Sequence, residues 1–222
     1  MPARSAPTRA VRVCIEATSK RAFASALDWP GWCRSGKDER SALDALADHE
    51  RRYGAVASAA SLPFAVGEFT VIERMPGSAT TDFGAPATAA KLEGERLSAA
   101  GARRLTALVA AAWTVFDGVV ATTPQSLRKG PRGGGRDRDP MVDHVLAAEH
   151  AYARKLGIRV PQPHAGETER ITAMREAILA LLRTADLSEV PVDRGWLPRY
   201  AGRRIAWHVL DHAWEMENRS EA

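Results

Sequence analysis

A chain of 222 residues has room for one large domain or two small ones, and 45% hydrophobic with 26% charged residues is the balance of a soluble globular protein. A net charge of +4 falls well short of a dedicated nucleic-acid binder, and no window of about 18 apolar residues is expected to span a membrane. The N-terminal stretch has arginines but no apolar run, so no secretory signal is expected. A cytoplasmic protein with Cys14 and Cys33 as reduced thiols is expected.

Val11, Val13, Ile15 and Ala17 alternate with Arg12, Cys14 and Glu16, and this period of two predicts a first strand. A second strand follows, then a turn at Pro30-Gly31 and a short third strand. From Lys37 the period changes. Leu43, Leu46, Ala47, Glu50 and Tyr53 recur at helical spacing, with Gly54 placed as the C-cap. Phe69 and Val71 alternate with Thr70 and Ile72 in a further strand. Residues 10–75 therefore read as a small β-β-(β)-α-β domain. Residues 76–94, rich in Gly, Pro, Thr and Ala, read as a linker.

The remainder, 95–220, reads as helices. Leu105, Leu108, Val109, Trp113, Phe116 and Val119 form one apolar stripe. A Gly- and Arg-rich stretch interrupts it. A second helix runs to Gly157, a third carries Ile171, Met174, Ile178 and Leu182, and a fourth follows from Tyr200. The expected fold class is α+β, with an up-down four-helix bundle after the N-terminal domain.

Chemistry concentrates in the fourth helix. His208 and His212 are four residues apart, about 40° around a regular helix, with Cβ atoms about 6 Å apart. Two imidazoles so placed suit one metal ion, and ordinary hydrogen bonding within a core is the alternative. A bundle site takes its other ligands from facing helices. His144 in the second helix shares its flank with Val145, Ala148 and Ala151. His150 shares its flank with Arg154 and is expected to face solvent, as are His49 and His164.

"HVLAAEHAY" in the second helix and "HVLDHAWE" in the fourth resemble the DinB-like family of four-helix metalloproteins, over about residues 95–220. The resemblance implies one metal-binding histidine in the second helix and two in the fourth: His144, His208 and His212. Where many members continue with a further His and an Arg-Gly-Gln run, this chain has Trp214, Glu215, Met216 and Glu217. Three imidazoles suit a divalent metal ion, zinc first, with nickel or iron as alternatives, and leave a position for water or substrate. Glu149, Asp211 and Glu215 lie near the ligands in sequence. Glu149 and Asp211 are assigned as carboxylates behind the ligands, with an ordinary helix-surface position as the alternative for each. Trp207 and Trp214 flank the pair as core packing or a pocket wall.

The loop before the second helix places Arg128, Arg132 and Arg136 among glycines at a helix N-terminus. They are the candidate substrate-binding residues for an anionic group, with a flexible solvated linker as the alternative. In the N-terminal part, Asp28, Pro30, Gly31, Gly36, Ala42 and Leu46 resemble the HicB-like pattern. That implies a module for dimerisation, partner contact or pocket covering, to which Trp29 and Trp32 would add an exposed contact patch, with packing against the bundle as the alternative. Arg34 beside Cys33 is a charge of the sign that lowers a thiol pKa, though a single neighbour does not establish an activated thiol.

The expected function is metal-dependent transfer, isomerisation or hydrolysis on a small anionic or thiol-containing molecule. The partners expected are this small-molecule substrate and a second copy in a homodimer. The alternative is a non-catalytic interaction or dimerisation module with structural metal or none.

Overall fold

The structure, a computed structural model, describes residues 9–130, 134–184 and 188–220. It is a mixed α+β protein in which a four-stranded N-terminal sheet is followed by helices. Strands β1 (Arg9–Ala17), β2 (Ala22–Ala26) and β3 (Cys33–Gly36) form an antiparallel meander. β4 (Val66–Pro76) returns beside β1 in parallel, giving the order β3-β2-β1-β4. A parallel return needs a crossover, and helices supply it.

The crossover is two helices, α1 (Glu39–Asp48) and α2 (Glu50–Ala59), where the sequence predicts one. The break falls at His49, and Gly54 lies inside α2 rather than at a C-cap. Packing explains it. Ala42 and Leu46 of α1 are buried toward β2 and β3, whereas Tyr53, Val56 and Ala57 of α2 are buried on the side of the next long helix. One straight helix cannot present both faces. Asp38 caps α1 by accepting from the Ser41 amide at 2.8 Å.

The expected linker is instead a folded cover. It holds α3 (Ala79–Phe83) and a 3-10 turn at Lys91–Gly94. Glu16 of β1 secures it. Its buried carboxylate accepts from the Thr81 hydroxyl at 2.5 Å and from the Ala87 and Thr88 amides at 2.9 Å. β1 is thus buried on both faces: Val13 and Ile15 on one, Cys14 and Glu16 on the other.

Four long helices follow: α4 (Ala99–Thr122), α5 (Arg138–Lys155), α6 (Thr168–Thr184) and α7 (Pro198–Ser220). α4 packs on α6 and α7, and α5 packs on the same two. Gly157, at φ +80°, stops α5 one residue past its cap at Leu156. Contrary to the sequence expectation, α4 is long and apolar enough to cross a membrane, with a window of mean hydropathy 1.6. Half of that window is buried, however, and Leu108, Val109, Trp113 and Phe116 form its core-facing stripe. That is the pattern of a core helix.

α7 is buried without interruption from Ala201 to Leu210. A helix enclosed on all sides sits at the centre of a protein. Toward the sheet it presents Arg203, Trp207 and Asp211. Arg203 pairs with buried Glu93 at 2.6 Å, Trp207 meets Phe23 edge-on, and Asp211 pairs with Arg34 at 2.8 Å. One continuous core runs from Val13 and Trp32 through Leu108 to Val209, so residues 10–75 and 95–220 bury their apolar sides in the same interior.

Two substitutions test this packing. Gly31 turns the chain at φ +94°, and a Cβ there would stand 2.7 Å from Leu210 Cδ1. Gly31→Ala is expected to destabilise by about 2–4 kcal/mol, combining left-handed strain with overpacking. Glu93→Gln leaves Arg203 buried without its counter-charge and is expected to cost about 3–5 kcal/mol. Urea unfolding measures both, and midpoints at the wild-type value would refute the packing described.

Candidate metal centre

His144 on α5 and His208 and His212 on α7 converge. Their ring centroids are 5.2, 4.9 and 4.6 Å apart for the pairs 144–208, 144–212 and 208–212. One nitrogen from each ring lies within 4.8 Å of the others. Tetrahedral zinc–nitrogen bonds of about 2.0–2.1 Å put donors about 3.4 Å apart, so a small inward turn of the rings closes the set. The sequence places the two α7 rings by the four-residue step. The α5 ring arrives only because α5 packs along that face.

The electrostatics disfavour protonation of His144 and His208, and the neutral ring is the form in which imidazole binds metal. Burial lowers the His144 pKa to about 4, with further repulsion from His212 and Arg136. Burial pushes His208 well below its ordinary value, and His212, His144 and Arg204 push it further. His208 is 7% exposed, and its Nδ1 has no hydrogen-bond partner. An orphaned buried nitrogen of this kind is uncommon in a protein interior. Three converging imidazoles, one with an unpartnered ring nitrogen, fit a divalent ion of the zinc class.

The carboxylate behind the site is Glu215. Its Oε2 accepts from His212 Nδ1 at 3.1 Å, and its Oε1 accepts from Arg219 at 2.8 Å. The His212 bond, helped by Arg219, holds Glu215 below the usual carboxylate range. An ionised carboxylate only accepts, so Nδ1 carries the proton of this bond and Nε2 is the ring nitrogen of His212 left for a metal.

The two carboxylates assigned from sequence are elsewhere. Glu149 is fully buried but accepts from Trp113 of α4 and Arg175 of α6; burial raises its pKa. Five residues advance about 500°, which turns Glu149 to the flank opposite His144. Asp211 lies about 100° from His212 and pairs with Arg34 on β3. The signal for Glu215 was its three-residue step from His212, one turn along the same flank.

Among the described residues of the loop, Arg136 is the candidate brought to the histidines, close enough for its charge to oppose protonation of His144 and His208. Arg128 is tied to the end of α7. It donates to the Asn218 carbonyl at 2.8 Å, and its own carbonyl accepts from Arg219 at 2.7 Å. Arg132 lies outside the described residues. His150 meets the Val160 carbonyl and His49 the Ala45 carbonyl, both half-buried rather than solvent-facing, while His164 is exposed as expected.

Two residues flank the cluster that the sequence did not mark. Arg204, one turn before His208, is 5% exposed. Its guanidinium lies over Trp207 at 4.7 Å and Tyr152 at 5.3 Å, and it donates to the Tyr152 hydroxyl at 3.2 Å. Nothing distinguished it in sequence from the neighbouring Arg203.

The N-terminal aromatics are internal rather than an exposed patch. Trp32 stacks on Tyr53 at 5.5 Å, and Trp29 packs on Phe64 with the Arg104 guanidinium 4.0 Å above its ring. Cys33 is likewise no activated thiol. Burial raises it to about 12, Ser25 donates to its sulfur, and Arg34 is turned to Asp211. Burial raises Cys14 to about 11. Two clefts, of about 570 and 620 Å³, open beside Trp29 and Arg104 and beside Arg52 and Trp214; the three histidines line neither.

No protein-family model matches this chain, and comparisons with curated proteins and with solved structures find no match either.

A thiol reagent applied to the folded protein near neutral pH is expected to modify neither cysteine, and to modify both after denaturation. Prompt modification of the native protein would contradict the burial described.

Proposed function

We propose that this chain binds one divalent metal ion through His144, His208 and His212 and acts with it on a small molecule. Zinc is the first candidate, and nickel or iron suit the same donors. The observation that carries the reading is the convergence of three imidazoles from two helices, one with a buried nitrogen left unpartnered. Three protein ligands are the pattern of a catalytic ion with an open position, whereas a structural zinc is normally held by four. When bound, such an ion supplies Lewis acidity and brings a water or thiol at its remaining position toward a neutral pKa.

The protein's own contributions follow from the geometry. Glu215 orients His212 and fixes its tautomer. The depressed basicity of His144 and His208 keeps protons from competing for the site. Arg136 adds positive charge at the rim for an anionic ligand. The reaction class is transfer, isomerisation or hydrolysis of a small anionic or thiol-containing substrate. We also propose that α4, α5, α6 and α7 form an up-down bundle of the DinB-like kind. The one-plus-two order of the histidines and the pairing of α4 and α5 with the same two neighbours support it.

Elemental mass spectrometry of untagged wild type and His208→Ala, purified side by side, tests the reading. Near-stoichiometric metal is expected in the wild type and little in the variant. Equal metal in both, or none in either after incubation with zinc, nickel or iron, would overturn it.

A further inference from the structure

α7 carries two consecutive buried arginines with opposite circumstances. Arg203 has Glu93, the Thr88 carbonyl and the Ser25 hydroxyl around its guanidinium. Arg204 is as deeply buried, yet Nε and Nη1 have no partner, and only Nη2 is engaged, by the Tyr152 hydroxyl. Among the described residues no carboxylate hydrogen-bonds to it or pairs with it. A buried cation without a counter-charge is unfavourable unless something else supplies one.

The neighbours of Arg204 locate that missing anion. Tyr152 and Trp207 each touch both the guanidinium and the His208 ring: the guanidinium lies over the two aromatic faces, and His208 meets the same rings at 5.8 and 5.9 Å. The guanidinium and the imidazole therefore stand side by side along one flank of α7. Both carry buried nitrogens without a hydrogen-bond partner, Nε and Nη1 on Arg204 and Nδ1 on His208. Trp207 is braced from behind by Phe23 of β2, and Tyr152 by Trp196, so the aromatic walls are fixed.

We infer that Arg204 is the anchor for a carboxylate on a ligand whose other end occupies the open position of the three-histidine centre. The inference rests on the metal reading given above. Planar oxyanions match a guanidinium, and the flanking aromatic faces exclude water and strengthen the pairing. Tyr152 holds the guanidinium in place through its hydroxyl and is a positioning residue. The ligand class is a small carboxylate with a metal-binding group, such as a thiol or hydroxyl, within a few bonds of it.

The test uses the full chain loaded with Co²⁺, whose visible spectrum reports a thiolate at the ion. Under anaerobic conditions, mercaptoacetate, β-mercaptopropionate and β-mercaptoethanol are titrated into wild type, Arg204→Met and Arg204→Lys. Wild type is expected to bind the better of the two carboxylates at least about tenfold more tightly than β-mercaptoethanol, the value of one charge-assisted hydrogen bond. Arg204→Met is expected to take up the same cobalt and lose that preference, while Arg204→Lys keeps part of it. Equal affinities in the wild type, with cobalt bound, would overturn the anchor and leave the metal centre standing. A preference that survives in Arg204→Met would do the same. Failure of wild type to take up cobalt would overturn both. The wild-type comparison decides even where Arg204→Met does not fold.

Discussion

The ion pair between Arg203 and Glu93 governs the arrangement of this protein. Both partners are removed from water, which works against their charges, so the pair holds only with near-complete hydrogen bonding. It has that. Glu93 also accepts from the Ala90 amide, and Arg203 also reaches Thr88 and Ser25. One guanidinium thus joins β2, the cover segment and α7. The Asp211–Arg34 pair repeats the attachment two turns along, and Trp207 on Phe23 fills the interval. α7 is fixed in rotation as well as position.

Rotation matters because a helix with one face committed has little choice about the other. Once Arg203, Trp207 and Asp211 face the sheet, Arg204, His208 and His212 must face α5. The two faces differ in kind. The sheet side is satisfied, with each charge paired. The α5 side retains unpartnered nitrogens on Arg204 and His208 and gathers three imidazoles, two of which, His144 and His208, are held from protonation. The interior meets its polar needs on the sheet side and leaves them open on the adjoining α5 side, and this contrast is what supports the proposed ligand site.

Much of the architecture is legible in local pattern. The alternation in β1 and β4 and the three- and four-residue steps in α4 to α7 mark elements close to those observed. The α1–α2 break is not legible, because the apolar residues of both helices fit a single helical period; only the separate surfaces they pack against divide them. Glu16 illustrates a second limit. Alternation puts it opposite Val13 and Ile15, where a solvent-facing carboxylate is the natural expectation. Its burial follows from a distant segment, Thr81 to Thr88, bringing three donors to it. The candidate site divides the same way: His208 and His212 declare themselves by spacing, while Glu149 and Asp211 lie near in sequence but are turned to other partners.

By itself, then, the sequence determined the periods, the helix stops and the pairing of His208 with His212, because these depend on geometry within one element. The resemblance also named His144 as their third partner, but the packing of α5 on α7 is what brings it to them. Tertiary structure alone decided that Glu215, rather than Glu149 or Asp211, supports them, and that Arg203 is paired while Arg204 is not. A helical period fixes the angles between side chains about their own axis. It says nothing of what lies opposite, and the chemistry of a buried polar group is set by what lies opposite.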